Sequence, residues 1–312
     1  MELLGGCLCL CVSAVVSLSA EGGVPCQGSE LFRCQVHRGG GRNTRPDNCL
    51  DTFKWCWEHG VAPEADARMT KDGIAIALHD DTLNRVGRGI LPSLANAKIS
   101  TLTWNEIKDV DVGSYLSPEY SYERVPTMDS VFKEMAKSPN RYLYVDEKGA
   151  APAVIASLAR KHGVEKRVYY TSPRFQLMSR WQRCVPGGLG MVWLGTWPKD
   201  NSAEAVAKAD KFLFDSFSKM DAANWSGVSQ VQIHVRTDLK QEDPFCPSSA
   251  CIERAIAYLH SKGITVQCLT WTYGANKDVL RRLWGFGFDN FATDDPLVLF
   301  DLLPEFAKTE TK

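Results

Sequence analysis

Four stretches of the 312-residue chain carry histidines, carboxylates and cations in spacings that suit chemistry on an anion. The first is His37-Arg38-Gly39, running on into Gly40-Gly41. An imidazole and a guanidinium leave an apolar run there into glycines, which let backbone approach a ligand closely. Alone, the same pattern describes a structural turn. The second is Glu64-Ala65-Asp66. Residues two apart on a strand point to one side, so both carboxylates share a face. Buried side by side they repel, and a hard cation relieves that cost; a solvated strand edge has the same spacing without one. Lys71-Asp72-Gly73 then reads as a hairpin turn leading through Ile74 to Leu78, and delivers His79-Asp80 beside the carboxylate pair. The third stretch ends in Asp146-Glu147-Lys148, with Asp146 and Lys148 on one face and Glu147 opposed. A carboxylate plus a cation suits metal and phosphate together, although adjacent charges are ordinary at an exposed strand end. In the fourth, Thr270-Trp271-Thr272-Tyr273, Trp271 could pack on a ligand's carbon skeleton or simply fill core.

These stretches need a frame that brings them to one end. An amphipathic helix, a glycine and an apolar extended run recur at 48–59 with Gly60, 151–162 with Gly163, 251–262 with Gly263, and 275–286 with Gly287. Each glycine marks a helix stop that feeds a strand. In 251–262 the apolar Ile252, Ala255, Ile256 and Leu259 fall at helical spacing and would cover a sheet. Candidate strands are 33–37, 62–66 with 74–78, 141–146, 167–171, 189–194, 230–235, 264–271 and 288–292, with 211–217 as a competitor. Counting the second pair as one position gives eight, which predicts an α/β fold: a TIM-type (β/α)8 barrel of parallel strands. All four stretches then fall at strand C-termini, the end where such barrels build their sites. Residues 83–128 break the rhythm and read as a small insertion after the second strand. The whole span 27–308 reads as one barrel domain.

Composition sets the outer bounds. With 44% apolar and 23% charged residues the chain is ordinary globular protein, and its net charge of −1 offers no basic field for nucleic acid. From Leu3 to Ala20 there is no charged residue, and Ser17, Ser19 and Ala20 end the stretch. Residues 1–20 therefore read as a secretory signal peptide, with an uncleaved membrane anchor as the alternative. The n-region offers Glu2 and no Lys or Arg, which departs from the usual signal. Cys7, Cys9 and Cys11 would leave with it, and eight cysteines remain. In an exported chain these suggest disulfides; Cys246 and Cys251, around Pro-Ser-Ser, are the one pair whose loop could close a bridge. A zinc site competes, without a CxxC pair or a His–Cys cluster to carry it. Asn224-Trp-Ser226 is a glycosylation sequon.

The ordered series of motifs resembles the glycerophosphodiester phosphodiesterase family over nearly the whole mature length. It comprises His37-Arg38-Gly39, Pro46-Asp47-Asn48, Glu64-x-Asp66, Thr70-Lys71-Asp72-Gly73 and His79-Asp80-Asp-Thr-Leu83-x-Arg85. Leu102-Thr103 through Gly113 to Val125-Pro126-Thr127, Asp146-x-Lys148, Trp271-Thr272 and Thr293-Asp294-x-Pro296 complete it. The resemblance implies His37 and His79 as an acid–base pair. It implies Glu64, Asp66 and Asp146 as ligands of one divalent cation, Mg2+ or Ca2+, and Arg38 and Lys148 as the phosphate grip. Two positions depart from the family pattern, which has Glu at both Asp47 and Asp146. The shorter Asp146 would set the cation deeper, add a water or recruit Glu147; Asp47 would cap helix 48–59. The expected activity is metal-assisted hydrolysis of a glycerophosphodiester to glycerol phosphate and an alcohol. Two alternatives stand beside it: a phospholipase D-like enzyme acting on lysophospholipids, and a secreted binding protein that keeps the barrel without turnover.

Overall fold

The computed structural model describes residues 31–270 and 276–308. In chain order the elements are β1 (Gln35–Val36), α1 (Leu50–Glu58), β2 (Ala62–Met69), β3 (Ala75–Ala77), α2 (Pro92–Ala95), α3 (Trp104–Ile107) and α4 (Met128–Met135). Then follow β4 (Leu143–Glu147), α5 (Pro152–Lys161), β5 (Val168–Ser172), α6 (Gln176–Cys184), β6 (Leu189–Leu194) and α7 (Ala203–Ala222). The chain continues through β7 (Gln230–Thr237), β8 (Phe245–Cys246), α8 (Ser249–Ser261), β9 (Thr265–Thr270), α9 (Lys277–Gly285), β10 (Asn290–Thr293) and α10 (Pro296–Ala307).

Eight strands pair in parallel in the order β1-β2-β4-β5-β6-β7-β9-β10, and β10 returns to β1, so the sheet closes into the expected barrel. The two-residue β1 makes both closing contacts, Gln35 opposite Ala62 on one side and Ala292 on the other. β3 folds back antiparallel on β2 through the 71–73 turn, as the spacing predicts. Gly60, Gly163, Gly263 and Gly287 all have positive φ at the helix-to-strand joints. The competing strand at 211–217 is instead inside α7, whose Ser202 cap accepts a hydrogen bond from the Ala205 amide.

Period-two alternation sorts each strand into an outer and an inner face. Outward residues such as Val145, Tyr170, Val192, Val231, Ile233 and Val266 are buried against the helices in one continuous apolar cluster. The inner face is polar and layered. Tyr144 and Tyr169 stack 4.6 Å apart across β4 and β5 with Ala62 and Met191, and close the N-terminal floor. Above them amides bridge the bore: Gln232 Nε2 donates to Gln35 Oε1 (3.2 Å) and Gln267 Oε1 (2.5 Å), and Gln267 Nε2 donates to Asn290 Oδ1 (2.7 Å). Residues 83–128 carry α2, α3 and turns around a separate apolar cluster that includes Leu83, Ile99, Leu102, Ile107 and Val112. α3 opens with a capping box between Thr103 and Glu106.

The bridge expected between Cys246 and Cys251 is absent: both are buried free thiols. Each faces a different carbonyl on α7, Cys246 Sγ that of Ala205 (3.7 Å) and Cys251 Sγ that of Asp210 (3.9 Å). Among the described residues every cysteine is free; Cys26 and the 1–20 segment lie outside them. Trp181 is fully buried and stacks on Tyr170 at 5.2 Å. Trp181→Ala should therefore cost about 3–5 kcal/mol of stability, read from the midpoint shift in a urea titration.

Candidate active site

The inner faces of β1, β2, β4, β6 and β7 end in titratable or aromatic side chains that converge at the C-terminal mouth. They line a basin of about 160 Å³ that includes His37, Arg38, Glu64, His79, Asp146, Lys148, Trp193 and His234. Glu64, Asp66 and Asp146 each offer an oxygen within 4.8 Å of the others, and all three are buried. Parallel pairing sets this up, because Asp66 lies directly opposite Asp146 in the β2–β4 register.

Such crowding opposes ionisation. Burial, followed by repulsion from Asp66 and Asp146, pushes the Glu64 carboxyl up to about 7 against the pull of His37 and the Arg38 amide. Burial also raises Asp146, although Lys148 Nζ lies 2.6 Å from its Oδ2. Three converging carboxylates without nitrogen or sulfur are a hard-oxygen donor set, which fits Mg2+ or Ca2+ rather than zinc. Their supports are in place. Asn48 Nδ2 donates to Asp66 Oδ2 and its Oδ1 accepts from the Asp66 amide, both at 2.8 Å. Thr171 Oγ1 (3.0 Å) and Trp193 Nε1 (3.2 Å) donate to Asp146 Oδ1.

His37 and His79 flank this cluster in different settings. His37 Nδ1 meets Asp294 Oδ1 at 2.7 Å, and Nε2 lies 3.9 Å from Glu64 Oε2. Burial alone would lower its pKa, but Glu64 and then Asp294 more than offset it and raise it to about 9. A Cβ on Gly41 would meet the Asp294 carbonyl oxygen at 2.5 Å, so this close approach of the β1 loop to the end of β10 requires glycine. His79 Nδ1 lies 2.7 Å from Asp80 Oδ1, and its Nε2 lies 3.1 Å from Arg38 Nη2. A guanidinium only donates, so Nε2 is the acceptor and Nδ1 carries the proton given to Asp80. That contact, with Arg85 adding to it, holds the Asp80 carboxyl well below the usual carboxylate range.

The cations complete the basin. Arg38 has φ +53° and donates its backbone N–H to Glu64 Oε2 (3.0 Å). Its buried Nε has no hydrogen-bond partner, which leaves a donor for an anion. Lys148 sits between Asp146 and Asp66. Asp47 does not cap α1 as expected. The helix begins two residues later, at Leu50 with Cys49 as its cap residue, and Asp47 instead pairs with Arg85 (2.8 Å) and Arg38 (3.3 Å). Glu147 points away from the cluster and pairs with Arg174, so it does not join the acidic set. Trp271 lies outside the described residues.

Sequence reading assigned no role to Asn48, Asp294, Thr171, Trp193 or His234. Alternation along the predicted strands would have put Thr171, Trp193 and His234 on the inner face. His234 stacks on Trp193 at 5.4 Å, and burial followed by the charge on His37 pushes it down to about 3, so it stays neutral.

A parallel barrel with titratable side chains at its C-terminal mouth is a common enzyme frame, and comparison with known proteins sets this one within it. Residues 37–298 match the glycerophosphoryl diester phosphodiesterase family, and the chain belongs to that family. It is 34% identical over 99 residues to a glycerophosphodiester phosphodiesterase of Caldanaerobacter subterraneus, which is 31% of this chain and 38% of the relative. It is 26% identical over 140 residues to glycerophosphodiester phosphodiesterase 1 of Mus musculus, which is 44% of this chain and 40% of the relative. The alignments thus span well under half of these relatives. Among solved structures, the glycerophosphodiester phosphodiesterase of Agrobacterium tumefaciens superposes with TM-score 0.62 at 18% identity, over 86% of this chain and 99% of that one. An Oleispira antarctica phosphodiesterase in complex with the product sn-glycerol-3-phosphate superposes with TM-score 0.61 at 16% identity, over 89% and 98%. These likenesses establish the barrel fold.

In chelator-treated protein the His37 imidazole should titrate near 9, followed by NMR. Asp294→Asn should bring that midpoint down, because it removes a charge that raises it. The stability this imidazolium contributes is full below about 6.5, its ordinary value, and is lost as pH rises through 9. Asn48→Ala should weaken any divalent-cation binding at this cluster about 10–100-fold by calorimetry, since Asp66 loses its orienting partner.

Proposed function

We propose that the chain hydrolyses glycerophosphodiesters to glycerol phosphate and an alcohol, using His37 and His79 as acid and base beside a divalent cation. One observation carries this reading: two differently held imidazoles and two cations line a single basin with Glu64 and Asp146, and Asp66 lies within 4.8 Å of both carboxylates. The curated relatives bear the corresponding name, and the Oleispira antarctica protein of the same fold holds sn-glycerol-3-phosphate.

Arg38 and Lys148 bind the phosphate, and the unpartnered Nε of Arg38 adds a second donor for a bidentate grip. As Arg38 turns to the phosphate, the Nε2 lone pair of His79 is released to take a proton from the nucleophile. That nucleophile is water or the substrate's own neighbouring hydroxyl. Asp80 keeps the tautomer correct by accepting from Nδ1. His37, held as imidazolium by Glu64 and Asp294, gives its Nε2 proton to the leaving oxygen. Glu64, Asp66 and Asp146 would hold Mg2+ or Ca2+, which when bound supplies positive charge beside the phosphoryl oxygens. A lysophospholipid would use the same groups and differ in the chain it must house.

The charge-free run from Leu3 to Ala20 supports export of the mature enzyme to the secretory lumen or the extracellular space. N-terminal sequencing of protein recovered from the medium should start near Glu21; a retained residue 1 on membranes would point to the anchored form.

With glycerophosphocholine as substrate, His37→Ala and His79→Ala should each lower kcat by about 10²–10⁴-fold. Chelation should abolish turnover, and Mg2+ or Ca2+ should restore it. Full turnover after complete metal removal would overturn the proposal.

A further inference from the structure

Each of the three clustered acids has two carboxylate oxygens, and the protein's own donors already hold one on each. Thr171 Oγ1 (3.0 Å) and Trp193 Nε1 (3.2 Å) both donate to Asp146 Oδ1. A carboxylate oxygen accepts along about two lone-pair directions, so this one is filled. On Asp66, Oδ2 accepts from Asn48 Nδ2 (2.8 Å); on Glu64, Oε2 accepts from the Arg38 amide (3.0 Å). The remaining oxygens are Glu64 Oε1, Asp66 Oδ1 and Asp146 Oδ2. Lys148 marks two of them as the side that receives positive charge. Its Nζ lies 2.6 Å from Asp146 Oδ2 and 3.6 Å from Asp66 Oδ1.

Other hard oxygens nearby are committed as well. Asn48 Oδ1 accepts from the Asp66 amide, Gln35 Oε1 accepts from Gln232, and Glu147 pairs with Arg174. Trp193 is held from behind in the orientation that aims its N–H at Asp146. Its ring stacks on His234 with centroids 5.4 Å apart and planes 9° apart, and His234 Nε2 meets Gln232 Oε1 at 2.8 Å. Gly195 permits that stack, since a Cβ there would meet His234 Nδ1 at 2.5 Å. The middle amides of the bore therefore fix an imidazole, the imidazole fixes an indole, and the indole fixes a carboxylate.

We infer that Trp193, together with Thr171, is a positioning residue that restricts Asp146 to one ligating oxygen and so selects Mg2+ over Ca2+. The inference rests on the metal-dependent reading above and names its ion. Ca2+ gathers about six to eight oxygens and often takes both oxygens of a carboxylate. Mg2+ keeps several of its waters and is content with single carboxylate oxygens. A cluster that presents one open oxygen per acid, with its neighbouring amide carbonyls engaged, suits the second ion. Neither Trp193 nor Thr171 needs to touch the ion, because both act through Asp146.

Calorimetric titration of each ion into chelator-treated native protein should give the tighter binding for Mg2+. Trp193→Phe keeps a ring against His234 and removes the N–H, and Thr171→Val keeps the side-chain shape and removes the hydroxyl. Each should weaken Mg2+ binding about 10–100-fold. Ca2+ can use the oxygen that is freed, so its binding should change little and the preference should move towards Ca2+ at least about tenfold. Urea midpoints identify the folded variants, and Thr171→Val decides alone if Trp193→Phe does not fold. Merely loosened packing would weaken both ions alike. That result in a folded variant overturns the inference, as does unchanged preference, or native protein that binds Ca2+ as tightly as Mg2+. If the native chain binds neither ion, the metal-dependent reading itself fails, an outcome distinct from binding both without preference.

Discussion

Mutual repulsion among Glu64, Asp66 and Asp146 is the constraint around which the mouth of this barrel is organised. Three buried acids within 4.8 Å cannot all ionise without compensation. Their neighbours are arranged to supply part of it: Lys148 against Asp146 and Asp66, the Arg38 amide against Glu64, Asn48 clamped on Asp66. The rest of the requirement is an ion-shaped demand for positive charge. Glu64 has a second effect, because its charge, with that of Asp294, raises the His37 imidazole.

The barrel meets this demand by stacking its interior in three tiers. Tyrosines form the floor, a ladder of glutamine and asparagine amides fills the middle, and acids and imidazoles form the rim. The middle tier hydrogen-bonds to itself and to the Tyr144 hydroxyl below, so the polar rim rests on amides rather than on hydrocarbon. His234 belongs to both upper tiers, tied to Gln232 (2.8 Å) below and stacked on Trp193 at the rim.

Much of this was legible in the chain. Helix–glycine–strand joints located the strands, and the i, i+2 rule put Glu64 with Asp66 on one face. The assignments that failed share a cause: each depends on partners far away in sequence. Asp294 reaches His37 across 257 positions, which no local pattern reports. Asp47 looked like a helix cap, yet Arg38 and Arg85 outcompete the helix for its carboxylate. Cys246 and Cys251 are near in sequence, but α7 passes behind both and offers each thiol its own carbonyl. Trp193 sits within a predicted strand, and an aromatic there reads equally as core until the inner face proves to be a rim.

The stacked pair Tyr144–Tyr169 makes the bore a cul-de-sac. Among the described residues the centre is closed at the strand N-termini, so the basin opens at the C-terminal mouth. Trp197, exposed at that mouth, stands on its rim beside Trp193 and His234.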